Sequence, residues 1–108
     1  MNQNQVRQGD VFLEASRLKK IPAEAVKVEP QNGRVVLRYG EATGHHHSVD
    51  SRTAELWQLP DGWMLLKVSE PTTLDHQEHA AAPFAPGLWV VPQEQVEYTP
   101  AEIRRVAD

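Results

Sequence analysis

The sequence predicts a mainly β protein, a small single-domain β-barrel or β-sandwich with a short C-terminal helix. Three observations predict it. Short runs rich in Val, Leu, Tyr and Trp recur along the 108 residues, separated by Gly, Pro, Asn and Asp. An Asn32-Gly33 pair lies between two such runs, the strongest short-range hairpin signal a sequence can carry. Helix-start chemistry is concentrated after Thr99.

Taken in order, Val6 to Ala15 reads as a first strand that is opened or bent at Gly9-Asp10. The following Lys19-Lys20-Ile21-Pro22 reads as a connection, because proline biases Ile21 away from the helical region. Val26-Lys27-Val28-Glu29 and Arg34-Val35-Val36-Leu37-Arg38-Tyr39 are then expected to pair across Asn32-Gly33 as a hairpin. A second hairpin is expected from Ala54 to Val68 around Pro60-Asp61-Gly62. Leu88-Trp89-Val90-Val91 reads as a buried strand, and Trp57, Trp63 and Trp89 are all expected in the core. At the end, Thr99 as cap, Pro100 at the first helical position and Glu102 three residues after the cap predict a helix over residues 100–107.

Composition narrows the function. At 40% hydrophobic and 24% charged residues, the chain reads as one folded domain over 1–108. No apolar run is long enough to cross a bilayer, and the polar start Met1-Asn2-Gln3-Asn4-Gln5 is unlike a signal peptide, so the cytoplasm is the expected location. A net charge of −4 disfavours nucleic acid and anionic lipid as partners. The partners left are a small molecule or another protein, with an unpaired edge strand offering a route to a homodimer. With no cysteine, any metal has to be held by nitrogen and oxygen.

All five histidines fall in two clusters, His45-His46-His47 and His76 with His79. In an extended strand His45 and His47 share a face and His46 takes the other. His76 and His79, three apart, come together only in a helical turn or tight loop. Imidazoles from two segments are a common way to hold a divalent cation, zinc first, while leaving a position open for water or substrate. Glu78, between the second pair, suits the role of a general base on a metal-bound water, a task that would make the protein a metal-dependent hydrolase. Two other readings stay open: a metal-free pocket using His as acid and base, and a non-catalytic interaction module whose histidines only hold loops.

Gly40, His45, His47, Glu55 and Gly62 resemble the first motif of the cupins, in which a glycine precedes a His-x-His pair and a glutamate and a second glycine follow. That resemblance implies a small β-barrel with a metal at its mouth, held by His45, His47 and Glu55, with His79 as the fourth candidate; His76 is a further candidate through its place in the second cluster alone. The chain also resembles small uncharacterised bacterial proteins carrying a Thr-Gly-His-x-His segment, a His-x-Glu-His segment and a Tyr-x-Pro-x-x-Ile-Arg-Arg stretch. These are Thr43 to His47, His76 to His79 and Tyr98 to Arg105 here. The second likeness implies a bacterial origin and no activity.

Overall fold

The structure, a computed structural model, describes residues 4–9, 11–39, 45–91, 96–98 and 103–105. Every regular element among them is a strand. Six strands form one sheet: β1 (Gln5–Gln8), β2 (Val11–Ala15), β3 (Val26–Val28), β6 (Ala54–Gln58), β7 (Met64–Val68) and β10 (Gly87–Val91). Their order is β1-β2-β10-β7-β6-β3, and every pairing is antiparallel. The sheet is open, with β1 at one edge and β3 at the other. Among the described residues no closed barrel forms.

Three two-stranded pieces complete the description. β4 (Arg34–Tyr39) pairs with β5 (His46–Asp50), β8 (Thr72–Leu74) with β9 (Ala82–Phe84), and β11 (Val96–Tyr98) with β12 (Ile103–Arg105). The Val35 and Val49 pair from β4–β5 and the Leu74 and Phe84 side chains from β8–β9 bury in the same core as Leu13, Leu56, Leu66 and Trp89 of the main sheet. One hydrophobic cluster therefore ties the β4–β5 and β8–β9 pieces to the six-stranded sheet.

The pleat explains which residues reach that core. In β6, Ala54 and Leu56 point in while Glu55 and Trp57 take the other face. In β1, Val6 and Gln8 are the buried pair, so a polar amide projects inward at the end of an apolar alternation. His47, Ser48 and Val49 of β5 are buried consecutively, as in a strand covered on both faces. Opposite Ser48 and His47 the register of β4 shifts between Val36 and Arg38, an irregularity of the kind that re-aims side chains beside a site.

Several sequence expectations change here. Gly9 (φ +59°) turns the chain so that Val6 to Ala15 is two strands, with Val6 opposite Leu13. The Asn32-Gly33 turn forms with the positive φ values that such a turn requires (53° and 79°), and Gln31 and Arg34 exchange both backbone hydrogen bonds at 2.8 and 2.9 Å. The expected hairpin stops there, because β3 leaves to pair with β6 and β4 with β5. The second hairpin forms as expected: Leu59 and Trp63 close the turn at 2.7 Å, and Gly62 adopts φ +94°.

At the C-terminus, Ile103–Arg105 is a strand and not helix, with Ile103 opposite Tyr98; the rest of the expected helix lies outside the described residues. A helix of eight residues is marginal by itself, and the β-branched Ile103 has a partner strand to pair with instead.

Of the three tryptophans only Trp89 is a core residue, 4% exposed, set edge-to-face on Phe84 at 5.4 Å with its Nε1–H donated to the Ala85 carbonyl at 3.0 Å. Trp57 is half-buried and Trp63 is 42% exposed at the turn after Asp61. Replacing Trp89 with Ala should cost about 3–5 kcal/mol of unfolding free energy in chemical denaturation. Trp63→Ala should stay within about 0.5 kcal/mol of the parent.

Candidate functional site

One backbone bridge brings the two histidine clusters together. Ser48 N–H donates to the Asp75 carbonyl at 3.0 Å and Asp75 N–H to the Ser48 carbonyl at 2.8 Å, an antiparallel pair. Because the chains run in opposite directions, the residue before Ser48 faces the residue after Asp75. These are His47 and His76, with ring centres 4.4 Å apart. Arg34 clamps the bridge, donating from Nη2 to Asp75 Oδ2 at 2.6 Å and to the Ser48 carbonyl at 3.1 Å, and from Nε to Ser48 Oγ at 3.0 Å. Thr73 Oγ1 donates to the other carboxylate oxygen of Asp75 at 3.0 Å.

From that anchor the other rings follow. His79 lies 4.7 Å from His76 and stacks at 5.9 Å on His47, while His45 meets the edge of His76 at 5.7 Å. The turn that returns His79 is made by His76 itself, whose Nδ1 accepts the backbone N–H groups of Glu78 (3.0 Å) and His79 (3.2 Å). An Nδ1 that accepts leaves the proton of the neutral ring on Nε2. His46 donates its backbone N–H to Gln77 Oε1 at 2.8 Å. Glu78 Oε1 is 3.6 Å from His45 Nδ1, and the carboxylate is largely exposed.

Electrostatics favour neutral imidazole at the centre. Burial pushes the pKa of His76 below its ordinary value of 6.5, and neighbouring His79 and His45 push the same way against the weaker pull of Glu78. Neutral imidazole is the form that binds metal ions. Two imidazoles sharing a tetrahedral ion at about 2.0–2.1 Å have ring centres about 5 Å apart, which is the spacing seen across the cluster. Among the described residues, however, no three His, Asp or Glu side chains have donor atoms that meet at one point as a bound ion would require.

The structure thus brings His45, His47, His76 and His79 together, with Glu78 at the rim. Glu55 is elsewhere: it takes the face of β6 opposite the core, where it accepts from Trp57 Nε1 at 3.3 Å and lies 3.9 Å from Lys27 Nζ. Two residues of the cluster escape the sequence reading. Gln8 hydrogen-bonds His47 Nδ1 at 2.8 Å, and the two side chains are 4% and 3% exposed. Gly9 backs onto His79, since a Cβ at that position would stand 2.7 Å from His79 Nε2. A signal existed for both, namely a glutamine on the apolar phase of Val6-x-Gln8 followed at once by glycine.

Fold and site together define an open-sheet β domain that gathers four histidines from two segments beside the β1–β2 turn. The chain belongs to the family described as domain of unknown function (DUF8820), whose match covers residues 7–94 and so includes Gln8, Gly9 and both clusters. No curated protein and no solved structure matches it. The cupin likeness is not shown: the family is a different one, the sheet does not close, and Glu55 faces away from the histidines. No helix among the described residues is long and apolar enough to cross a membrane.

Gly9→Ala should cost about 1–3 kcal/mol, since it adds the strain of φ +59° to a collision with His79. Gly33→Ala is the control: it has φ +79° and open space around the new Cβ, so only the backbone strain of about 1–2 kcal/mol remains. Shifts of the His79 ring signals in NMR spectra should appear with the first variant alone.

A second expectation concerns pH. The folded pKa of His76 is lowered, so the unfolded chain binds the extra proton first. The stability this group contributes is complete above about pH 6.5 and is lost as pH falls through that value toward the folded one. Melting temperature should therefore decline between about pH 7 and pH 5, and His76→Asn, which keeps an acceptor for the turn but cannot titrate, should decline less.

Proposed function

We propose that this protein is a small divalent-metal-binding domain, with zinc the ion its donors suit best and with His45, His47 and His79 as the ligand set. The observation that carries the proposal is the convergence of two histidine clusters from separate segments onto one backbone bridge, with the His47 and His79 ring centres 5.9 Å apart and His45, His47 and His79 each 4.4–5.7 Å from the His76 ring between them. A nitrogen-rich set without thiolate is typical of sites that keep a coordination position for water. His76 would have to release its turn to join the ligand set, because its Nδ1 holds two backbone N–H groups and its Nε2 carries the proton.

Enzymatic use of such a site is the finer part of the proposal. In that reading Glu78, whose Oε1 is 3.6 Å from His45 Nδ1, would take a proton from a metal-bound water, giving a metal-dependent hydrolase. The competing reading is a non-catalytic interaction module whose histidines are structural. Its support is the His76 turn, in which an imidazole is used for capping and for nothing chemical.

Titration calorimetry with Zn²⁺ on chelator-treated protein separates the two. The metal reading expects one equivalent bound, a melting temperature that rises with metal and falls back with chelator, and affinity reduced by tenfold or more in both His47→Ala and His79→Ala. Binding below a tenth of an equivalent for Zn²⁺, Ni²⁺, Mn²⁺ and Fe²⁺ alike would remove it in favour of the structural module.

A further inference from the structure

Gln8 is a buried amide with all its strong hydrogen-bonding positions directed. Its Nε2 donates to two backbone carbonyls, Leu74 at 2.8 Å and Ala80 at 2.9 Å, and its Oε1 lies 2.8 Å from His47 Nδ1. The two carbonyls settle the orientation of the amide, because the flipped group would set its oxygen 2.8 and 2.9 Å from two other oxygens and trade two hydrogen bonds for two repulsions. The oxygen therefore faces His47, and since it can only accept, His47 Nδ1 must carry the hydrogen. In the neutral ring the lone pair then belongs to Nε2, on the side turned away from Gln8.

We infer that Gln8 is the positioning residue of the proposed metal site, selecting Nε2 of His47 as the ligating nitrogen and fastening to it the loop that carries His79. The inference rests on the metal-binding reading above and adds to it which nitrogen binds and what holds it. An imidazole that ligates through one nitrogen while donating its other N–H to a fixed oxygen acceptor is the arrangement that orients metal-binding histidines and strengthens their basicity. Here the same amide does a second task. Leu74 and Ala80 bracket the His76–His79 turn, so the two N–H donors fix both ends of the loop relative to His47. His76 provides the contrast, since its neutral ring carries the proton on Nε2 and its Nδ1 is spent on the turn.

Two variants divide the two tasks. Gln8→Glu keeps an acceptor for His47 Nδ1–H and loses both donors to the loop; Gln8→Leu loses everything. Long-range ¹H–¹⁵N correlation spectra of the metal-free protein report the tautomer directly, and Zn²⁺ calorimetry reports the site. The expected result is an Nδ1–H tautomer for His47 in the parent and in Gln8→Glu, a Zn²⁺ Kd raised about 10–100-fold in Gln8→Leu, and a smaller loss in Gln8→Glu. An Nε2–H tautomer in the parent overturns the inference, as does a Gln8→Leu protein that folds and binds Zn²⁺ as the parent does. If neither variant folds, the parent tautomer and the movement of its His47 Nε2 signal on adding Zn²⁺ decide. A parent with the Nδ1–H tautomer that binds no metal tells a different failure, that of the metal reading, and removes the ligating role with it.

Discussion

The arrangement of this domain around its histidines depends on one pair of backbone hydrogen bonds, those between Ser48 and Asp75. They join the β4–β5 piece to the segment leaving β8, two parts of the chain with no other regular strand pairing between them among the described residues. A single bridge is weak alone, since an exchange of protein–water for protein–protein hydrogen bonds contributes only about 0.5–1.5 kcal/mol each. What makes it durable is the Arg34 guanidinium, which spans the bridge and satisfies the Asp75 carboxylate, the Ser48 hydroxyl and the Ser48 carbonyl together. A planar fork of donors can do this where a lysine could not. Leu74, fully buried in the residue before Asp75, adds the apolar anchor.

Gln8 supplies the second constraint, from the opposite direction in the fold. It belongs to the main sheet and its partners belong to the two smaller pieces, so one amide links all three. Burying an amide is costly unless its partners are present, and here both donors and the acceptor are matched. Such a network is worth more as specification than as stability: it leaves the loop between β8 and β9 one favourable position relative to β5. Gly9 contributes by absence, because the positive φ that turns β1 into β2 also removes the side chain that would have displaced His79.

The chemistry of the cluster follows from these constraints. Neighbouring His47 and His76 have opposite neutral tautomers, one dictated by an amide oxygen and the other by two backbone N–H groups. Burial, with His79 and His45 beside it, lowers the pKa of His76 and so favours the neutral ring that holds the turn.

Much of the β architecture was legible in the residues. Pro60-Asp61-Gly62 made its hairpin, and Asn32-Gly33 made its turn, because the φ values involved are properties of those residues and need no distant partner. The pairing beyond Asn32-Gly33 was not legible, since β-branched runs are compatible with many strands and the choice of β6 and β5 over each other was made by the shared core. The helix expected after Thr99 gives way at Ile103–Arg105 to strand pairing with Val96–Tyr98. Within the site, the sequence by itself determined that the histidines come in two clusters and that any metal they hold would be bound without sulfur. Only the tertiary structure decided that the clusters meet, that Glu55 stays outside and that Gln8 and Gly9 belong with them. The physical reason is that these depend on long-range register, on which side of a pleat a residue falls, and on a buried amide finding its three partners, none of which is a local property of the chain.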